Sequence, residues 1–120
     1  MDTVIVAAAA LFFLAMGVLA LARPARLVAP FGISLTGPDA RLEVCGVYGG
    51  FGIAIAALLG VAALDPAAHA GELLTVAVAL FGMAGGRLIG RIRDRPGGFY
   101  PVWFYSWVEV VAGALLLLAR

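Results

Sequence analysis

Charged residues are scarce in this sequence. They make up 12% of its 120 residues, whereas 64% of the residues are hydrophobic and the mean hydropathy is +1.10. A soluble domain carries about twice that share of charge. A chain of this length cannot bury so much apolar surface in a core of its own, so we expect lipid to be its solvent. The composition therefore predicts an integral membrane protein.

Cysteine and histidine occur once each, as Cys45 and His69. A single cysteine excludes an intrachain disulfide, and neither residue has the partners that a metal cage needs. The glycine-rich runs do not follow a strand, as a dinucleotide-binding loop would. We therefore expect no metal and no cofactor. The net charge is only +1 and the basic residues, all arginines, collect at segment ends, which argues against a nucleic-acid partner.

Four long apolar segments dominate the chain, separated by breaks at Arg23-Pro24, Asp65-Pro66 and Pro96-Gly97-Gly98. At ~1.5 Å per residue each is long enough to cross a ~30 Å hydrocarbon core. The first lacks the early basic residues of a cleaved signal peptide, so we interpret it as a retained helix. The sequence predicts an all-α, single-domain bundle of four transmembrane helices, approximately residues 3–22, 40–64, 72–92 and 101–119.

The arginines indicate the orientation. Five of them lie in the connectors after the first and third helices, and Arg41 lies close by, whereas the other side has only Arg120. The positive-inside rule then places both connectors in the cytoplasm and both termini outside. Aromatic residues at the start of the fourth helix agree with this, because such residues favour the headgroup layer.

Five polar residues are expected in or near the cytoplasmic half of the bundle. Glu43 and Arg87 fall within a turn or two of that face and Glu109 roughly 12 Å inside it; the other two are Arg41 and Tyr48. This set is the candidate ligand-binding site, and no catalytic constellation accompanies it.

Helix phase predicts which way these residues point. Glu43 shares a face with Gly46 and Gly50, and Glu109 with Gly113, so both carboxyl groups are expected to face neighbouring helices. The third helix carries Gly82, Gly86 and Gly90 at four-residue spacing, which predicts a packing stripe from which Arg87 lies well away.

Alternatives remain for each polar residue. Glu109 is equally well a proton or ligand site or a buried partner that sets helix order. Arg87 either pairs with a carboxylate or lifts its guanidinium to the headgroups. Arg41 and Glu43 fit a solvated helix start. Tyr48 either hydrogen-bonds Glu109 or simply packs.

Glu43, the run Tyr48-Gly49-Gly50, the pair Gly86-Arg87 and the lone Glu109 together resemble small bacterial four-helix membrane proteins grouped as domain of unknown function 4345. The likeness extends from the Pro30 connector to Glu109. Members often have an arginine two residues after the glutamate, where this chain has Cys45; Arg41, one turn earlier, is the available substitute. The resemblance implies an integral bundle and no activity.

Two functions are open at this point. The first is a non-enzymatic accessory or interaction subunit of the bacterial inner membrane, assembling with itself or in a larger complex. The second is a small transporter or a lipid- or amphiphile-binding protein that uses Glu109 and Arg87. In both, the lipid bilayer is the immediate partner, the termini are periplasmic or extracellular, and a bound lipid is compatible with either.

Overall fold

The computed structural model describes all 120 residues, and every regular element in it is helical. The helices are α1 (Asp2–Ala22), α2 (Pro24–Val28), α3 (Pro38–Ala62), α4 (Pro66–Gly90) and α5 (Val102–Ala119). Four of these, α1, α3, α4 and α5, are long and apolar enough to cross a membrane, which confirms the predicted fold class. The third spanning helix, α4, begins at Pro66, six residues before the start at residue 72 that the sequence predicts.

Prolines and polar caps set the helix boundaries. Pro24 and Pro38 each occupy a first turn, where a missing N–H leaves no hydrogen bond unmade. Asp65 caps α4, its side chain accepting a hydrogen bond from the Ala68 N–H at 3.4 Å. After α2, a single 3₁₀ turn (Ala29–Phe31) ends at Gly32, whose φ of 75° lies in the left-handed region that glycine tolerates.

The bundle consists of two closely packed pairs, α1 with α3 and α4 with α5, joined by contacts between α1 and α5. The main core draws on all four spanning helices and includes Val6, Leu59, Leu73 and Leu116. It lies towards the end that holds both termini and the α3–α4 connector. We call the other end, where residues 23–37 and 91–101 lie, the arginine end.

A second, smaller core closes the arginine end. Ala20, Val28 and Val44 are buried there, with Leu27 and Leu35 packed against them. The connector after α1 therefore folds over the end of α1 and α3. In the whole chain only 22 of 120 residues are buried, as expected of a protein whose apolar side chains face lipid.

Glycines allow α1 and α3 to touch at the backbone. A Cβ at Gly17 would lie 2.8 Å from the Gly49 carbonyl oxygen, and one at Gly52 would lie 2.9 Å from the Phe13 carbonyl oxygen. Because both obstacles are backbone atoms, no rotamer change could relieve the overlap. These positions therefore require glycine for packing, and they are not the glycines that the helical repeat singles out.

The prediction that Gly46 and Gly50 lie on an inward face of α3 is wrong. Gly46 and Gly50 are exposed, and the buried positions are instead Gly49, Gly52 and Ala56. The cause is a π-helical segment, Cys45–Gly50, within α3. It adds a residue to one turn, so the inner face passes from Val44 to Gly49 rather than along a uniform α-helical phase.

The predicted packing stripe on α4 does not pack within the bundle. Nothing lies within 4 Å of a Cβ built at Gly82, Gly86 or Gly90. The buried face of α4 is formed by larger side chains: Leu73, Val76, Ala77, Leu80 and Ala84. The glycines therefore lie on the outer surface of the bundle.

Candidate functional site

An ion pair between α4 and α5 is the one hydrogen bond that joins two side chains of different spanning helices. Arg87 donates from Nη1 to Oε1 of Glu109. Arg87 follows Ala84 on the inner face of α4, and Glu109 precedes Gly113 on the inner face of α5. The inward direction of Glu109 agrees with helix phase, and of the two alternatives for Arg87 the structure has the paired one.

The two partners are shielded to different degrees. Glu109 is 4% exposed, and its side chain is 6% exposed, whereas the Arg87 side chain is 25% exposed. The carboxylate is therefore removed from lipid and water alike, which would be costly without a cation beside it. The guanidinium can compensate that charge and still reach the surface of the bundle, as long arginine stems allow.

The approach of α4 to α5 depends on a glycine one turn away. A Cβ at Gly113 would lie 2.7 Å from the Phe81 ring. With no side chain there, the ring can lie directly over the α5 backbone. Because Phe81 and Gly113 lie on the core side of Arg87 and Glu109, this contact holds the helices close enough for the ion pair to form.

Ser106 belongs to the same polar face, although sequence reasoning did not include it. The residue is 7% exposed, lies three positions before Glu109, and its hydroxyl has no hydrogen-bond partner. Spacings of three and four place Ser106, Glu109 and Gly113 on one side of α5, a pattern visible in the sequence. The candidate site is therefore an ion pair with a free hydroxyl one turn nearer the arginine end.

These features sit in a chain that one family model matches over residues 1–120. The chain belongs to the family described as Domain of unknown function (DUF4345). The match covers every helix and includes Arg87 and Glu109, so it extends beyond the stretch that carried the resemblance in the sequence. No curated protein and no solved structure matches the chain.

The other three predicted site residues of this DUF4345 chain lie apart from the pair. Arg41 and Glu43 are exposed at the start of α3, and neither forms an ion pair. Glu43 therefore does not face a neighbouring helix, and the contrary prediction is wrong. Exposure at the first turns of α3 is what a solvated helix start looks like.

Tyr48 is 36% exposed and makes no side-chain hydrogen bond. It lies in the π-helical segment, four residues after the buried Val44, where an uninterrupted α-helix would have turned it inward. The hydrogen bond to Glu109 considered from the sequence is therefore not formed.

Cys45 stands where the family resemblance leads us to expect an arginine. Its Sγ lies 3.8 Å from the Ala20 carbonyl oxygen of α1, so it packs at the α1–α3 contact. Arg41, the available substitute for that arginine, forms no ion pair with Glu43 or with any other carboxylate. Apart from Arg87–Glu109, the only ion pair joins Arg93 to Asp94 at 3.6 Å, on side chains that are 85% exposed. Such an exposed pair contributes little.

Proposed function

We propose that this DUF4345 protein is a non-enzymatic accessory subunit of the bacterial inner membrane that holds another transmembrane helix against its outer surface. The partner is a second copy of the chain or a helix of a different membrane protein. Both termini would lie on the periplasmic or extracellular side, because the exposed arginines of the two connectors are at the opposite end of the bundle.

One observation carries the proposal, namely the α4 glycine stripe: Ala79, Gly82, Gly86 and Gly90. Ala79, Gly82 and Gly86 are exposed, and no atom of the chain lies within 4 Å of a Cβ built at any of the three glycines. On the helical wheel the stripe is centred about 100° from Arg87 and lies well away from the buried face of α4. The bundle does not use these glycines for its own packing.

Glycine in a helix needs a reason, since it costs about 1 kcal/mol relative to alanine in a water-exposed helix interior. Between helices in lipid, small residues supply that reason because they let two backbones approach closely. At Gly17, Gly52 and Gly113 the reason is a contact within this chain. At the α4 glycine stripe, a helix from another protein chain would provide the close contact that compensates for the cost of glycine.

The ion pair supports a structural role over a catalytic one. Arg87 and Glu109 neutralise each other, and no group of three or more histidine, cysteine, aspartate or glutamate residues lies together. A neutral pair between two helices sets their register and discourages other packings. That is what a bundle presenting one fixed outer surface requires.

A second candidate function, binding or transport of a small amphiphile at Arg87 and Glu109, is favoured by the free Ser106 hydroxyl beside the pair. A ligand oxygen there would accept from Ser106 and from the quarter-exposed guanidinium. Under this alternative, Glu109→Gln would leave the protein folded in detergent but change its transport activity or the amount of lipid it binds. Under the main proposal the same variant would alter assembly without any ligand effect.

A photoreactive residue at Val78 tests the main proposal. Val78 is 58% exposed and lies one turn before Gly82, beside the α4 glycine stripe. In native membranes we expect it to cross-link to one membrane protein, whose mass distinguishes a second copy from another subunit. The double variant Gly82→Leu, Gly86→Leu should abolish the product, because leucine side chains would hold the partner away.

The matched control is Ala114, an exposed small residue on α5, used both as cross-linking site and as Ala114→Leu. A photoreactive residue at position 114 should give no protein cross-link, and Ala114→Leu should leave the Val78 cross-link unchanged. If Val78 cross-links to lipid only, or if its protein product survives the double leucine variant, the α4 glycine stripe is not an interface and the proposed function fails.

A further inference from the structure

A groove of about 540 Å³ runs between α1 and α5, away from the α4 glycine stripe and from the ion pair. All eleven residues that line it are hydrophobic. Its walls come from two antiparallel spanning helices, so its long direction follows the bilayer normal. Its volume falls within the ~300–1,000 Å³ of typical small-molecule sites.

The groove has a floor of small side chains and a rim of large ones. Ala9 and Ala112 are half-buried on the floor, whereas Phe12, Phe104 and Trp107 are 36%, 41% and 61% exposed. A transmembrane helix is ~10–12 Å wide and packs on surfaces where small residues are flush with their neighbours. A raised rim keeps such a helix off the alanine floor but admits a single slender chain.

The lining chemistry restricts the occupant further. No polar residue lines the groove, so a peptide backbone placed in it would leave its N–H and C=O groups without partners. A hydrocarbon chain needs no such partners. The groove is therefore matched in polarity and in shape to an acyl chain.

Charge at one end of the groove selects the headgroup. Phe104 and Trp107 mark its arginine end, where six arginines are exposed against three carboxylates, a surplus of three positive charges. The arginines are Arg23, Arg26, Arg41, Arg91, Arg93 and Arg95, and the acids are Asp39, Glu43 and Asp94. An anionic headgroup at this depth would be attracted to the surplus.

We propose that the α1–α5 groove is a binding site for one anionic phospholipid, with an acyl chain between the helices and the phosphate at the arginine end. The aromatic rim is suited to this position, since tryptophan prefers the boundary between acyl chains and headgroups. Because the site lies between α1 and α5, it does not depend on the interaction surface proposed for α4.

Native mass spectrometry of the full chain, reconstituted with phosphatidylglycerol or phosphatidylcholine and gently extracted, tests the proposal. We expect one phosphatidylglycerol retained per chain and much less phosphatidylcholine. Ala8→Phe places a ring in the groove from an exposed position on α1 and should lower retention about tenfold, equivalent to ~1.4 kcal/mol. Trp107→Ala, which removes part of the rim without adding bulk, should also lower retention.

Ala57→Phe is the matched control, since Ala57 is an exposed alanine of α3, about as far from the outer end of its helix as Ala8 is, and it does not line the groove. It should retain lipid as the wild type does. Equal retention of both lipids would contradict the proposed preference for an anionic headgroup. Unchanged retention in Ala8→Phe and Trp107→Ala would overturn the groove as a lipid site. So would an equal loss in Ala57→Phe, or conversion of a dimer to a monomer by Ala8→Phe.

Discussion

At the scale of single residues, the Arg87–Glu109 pair differs from an ordinary surface ion pair in how unequally it is buried. The glutamate side chain is only 6% exposed, whereas a quarter of the arginine side chain is exposed. Removing the arginine therefore leaves the buried Glu109 carboxylate without a positive partner. Removing the glutamate leaves a cation that can extend to the headgroups, so the two single losses should not be equivalent.

We predict that Arg87→Leu lowers the free energy of unfolding by about 2–3 kcal/mol, somewhat less than the ~3–5 kcal/mol for breaking a fully buried pair, because of the partial exposure. Glu109→Leu should cost less. The double variant should lie closer to wild type than Arg87→Leu alone, because no unpaired charge then remains. Unfolding in detergent with increasing denaturant measures all three. Equal losses in the two single variants would contradict the unequal shielding.

Ser106 gives a second prediction at this scale. Its buried hydroxyl forms no hydrogen bond, so Ser106→Ala should raise the free energy of unfolding by about 1 kcal/mol, the lower end of the ~1–3 kcal/mol cost of an unsatisfied buried group. Thermal unfolding in detergent is a sufficient measurement, with Ala114→Ser as an exposed control. A loss of stability in Ser106→Ala would instead mean that the hydroxyl has a partner, as the amphiphile-binding alternative requires.

At the scale of elements, the glycines fall into two groups that sequence spacing does not separate. Those at the α1–α3 and α4–α5 contacts have atoms within 3 Å of a built Cβ, whereas those of the α4 glycine stripe have none within 4 Å. The regular four-residue repeat belongs to the second group. Regular spacing marks a continuous face of a helix and does not determine whether that face is turned inward.

Alanine substitutions should distinguish the groups. Gly52→Ala would place a methyl group 2.9 Å from the Phe13 carbonyl oxygen and 3.0 Å from the Gly17 Cα. We expect it to destabilise the bundle by about 1–3 kcal/mol, the usual cost of overpacking. Gly82→Ala should leave the isolated bundle as stable as wild type or slightly more stable. Circular dichroism during thermal unfolding compares them, and similar losses in both would refute the outward placement of the α4 glycine stripe.

The π-helical segment explains a further difference at this scale. The last buried residue of α3 before it is Val44, and the next is Gly49, five positions later and inside the segment. A constant ~100° per residue cannot describe a helix that changes its turn length part-way. Glu43, Gly46 and Gly50, which a uniform phase places together on an inward face, are all exposed.

At the scale of the whole molecule, both arginine-bearing connectors lie at one end, and the two termini lie at the other with the α3–α4 turn. The longest dimension of the Cα trace is 43 Å, comparable with the ~40–45 Å of a bilayer including headgroups. The positive charge should set the direction of insertion, because basic connectors are retained in the cytoplasm.

Single-cysteine variants in a Cys45→Ala background test this orientation. Gly97 lies in the arginine-end connector and Ala67 near the start of α4, and both are exposed. We expect a membrane-impermeant maleimide to label Ala67→Cys in intact spheroplasts and Gly97→Cys only after the membrane is opened. The reverse pattern would place the termini in the cytoplasm and contradict the predicted orientation.

The sequence by itself determined that the chain is helical, that four segments can span a membrane, and that Glu109 is turned inward. These properties depend on the hydropathy and phase of each segment alone. They need no knowledge of a neighbour. The family resemblance was likewise carried by local motifs and is confirmed over the full chain.

Only the tertiary structure decided that Arg87 pairs with Glu109, that Arg41, Glu43 and Tyr48 remain on the surface, and that the α4 glycines face outward. Each of these depends on which of two faces a neighbouring helix covers. On α4 the larger apolar side chains and Arg87 share the face turned towards α5, where Glu109 supplies the charge that the arginine needs. The glycines on the opposite face are exposed because one helix cannot bury both sides against the same neighbour.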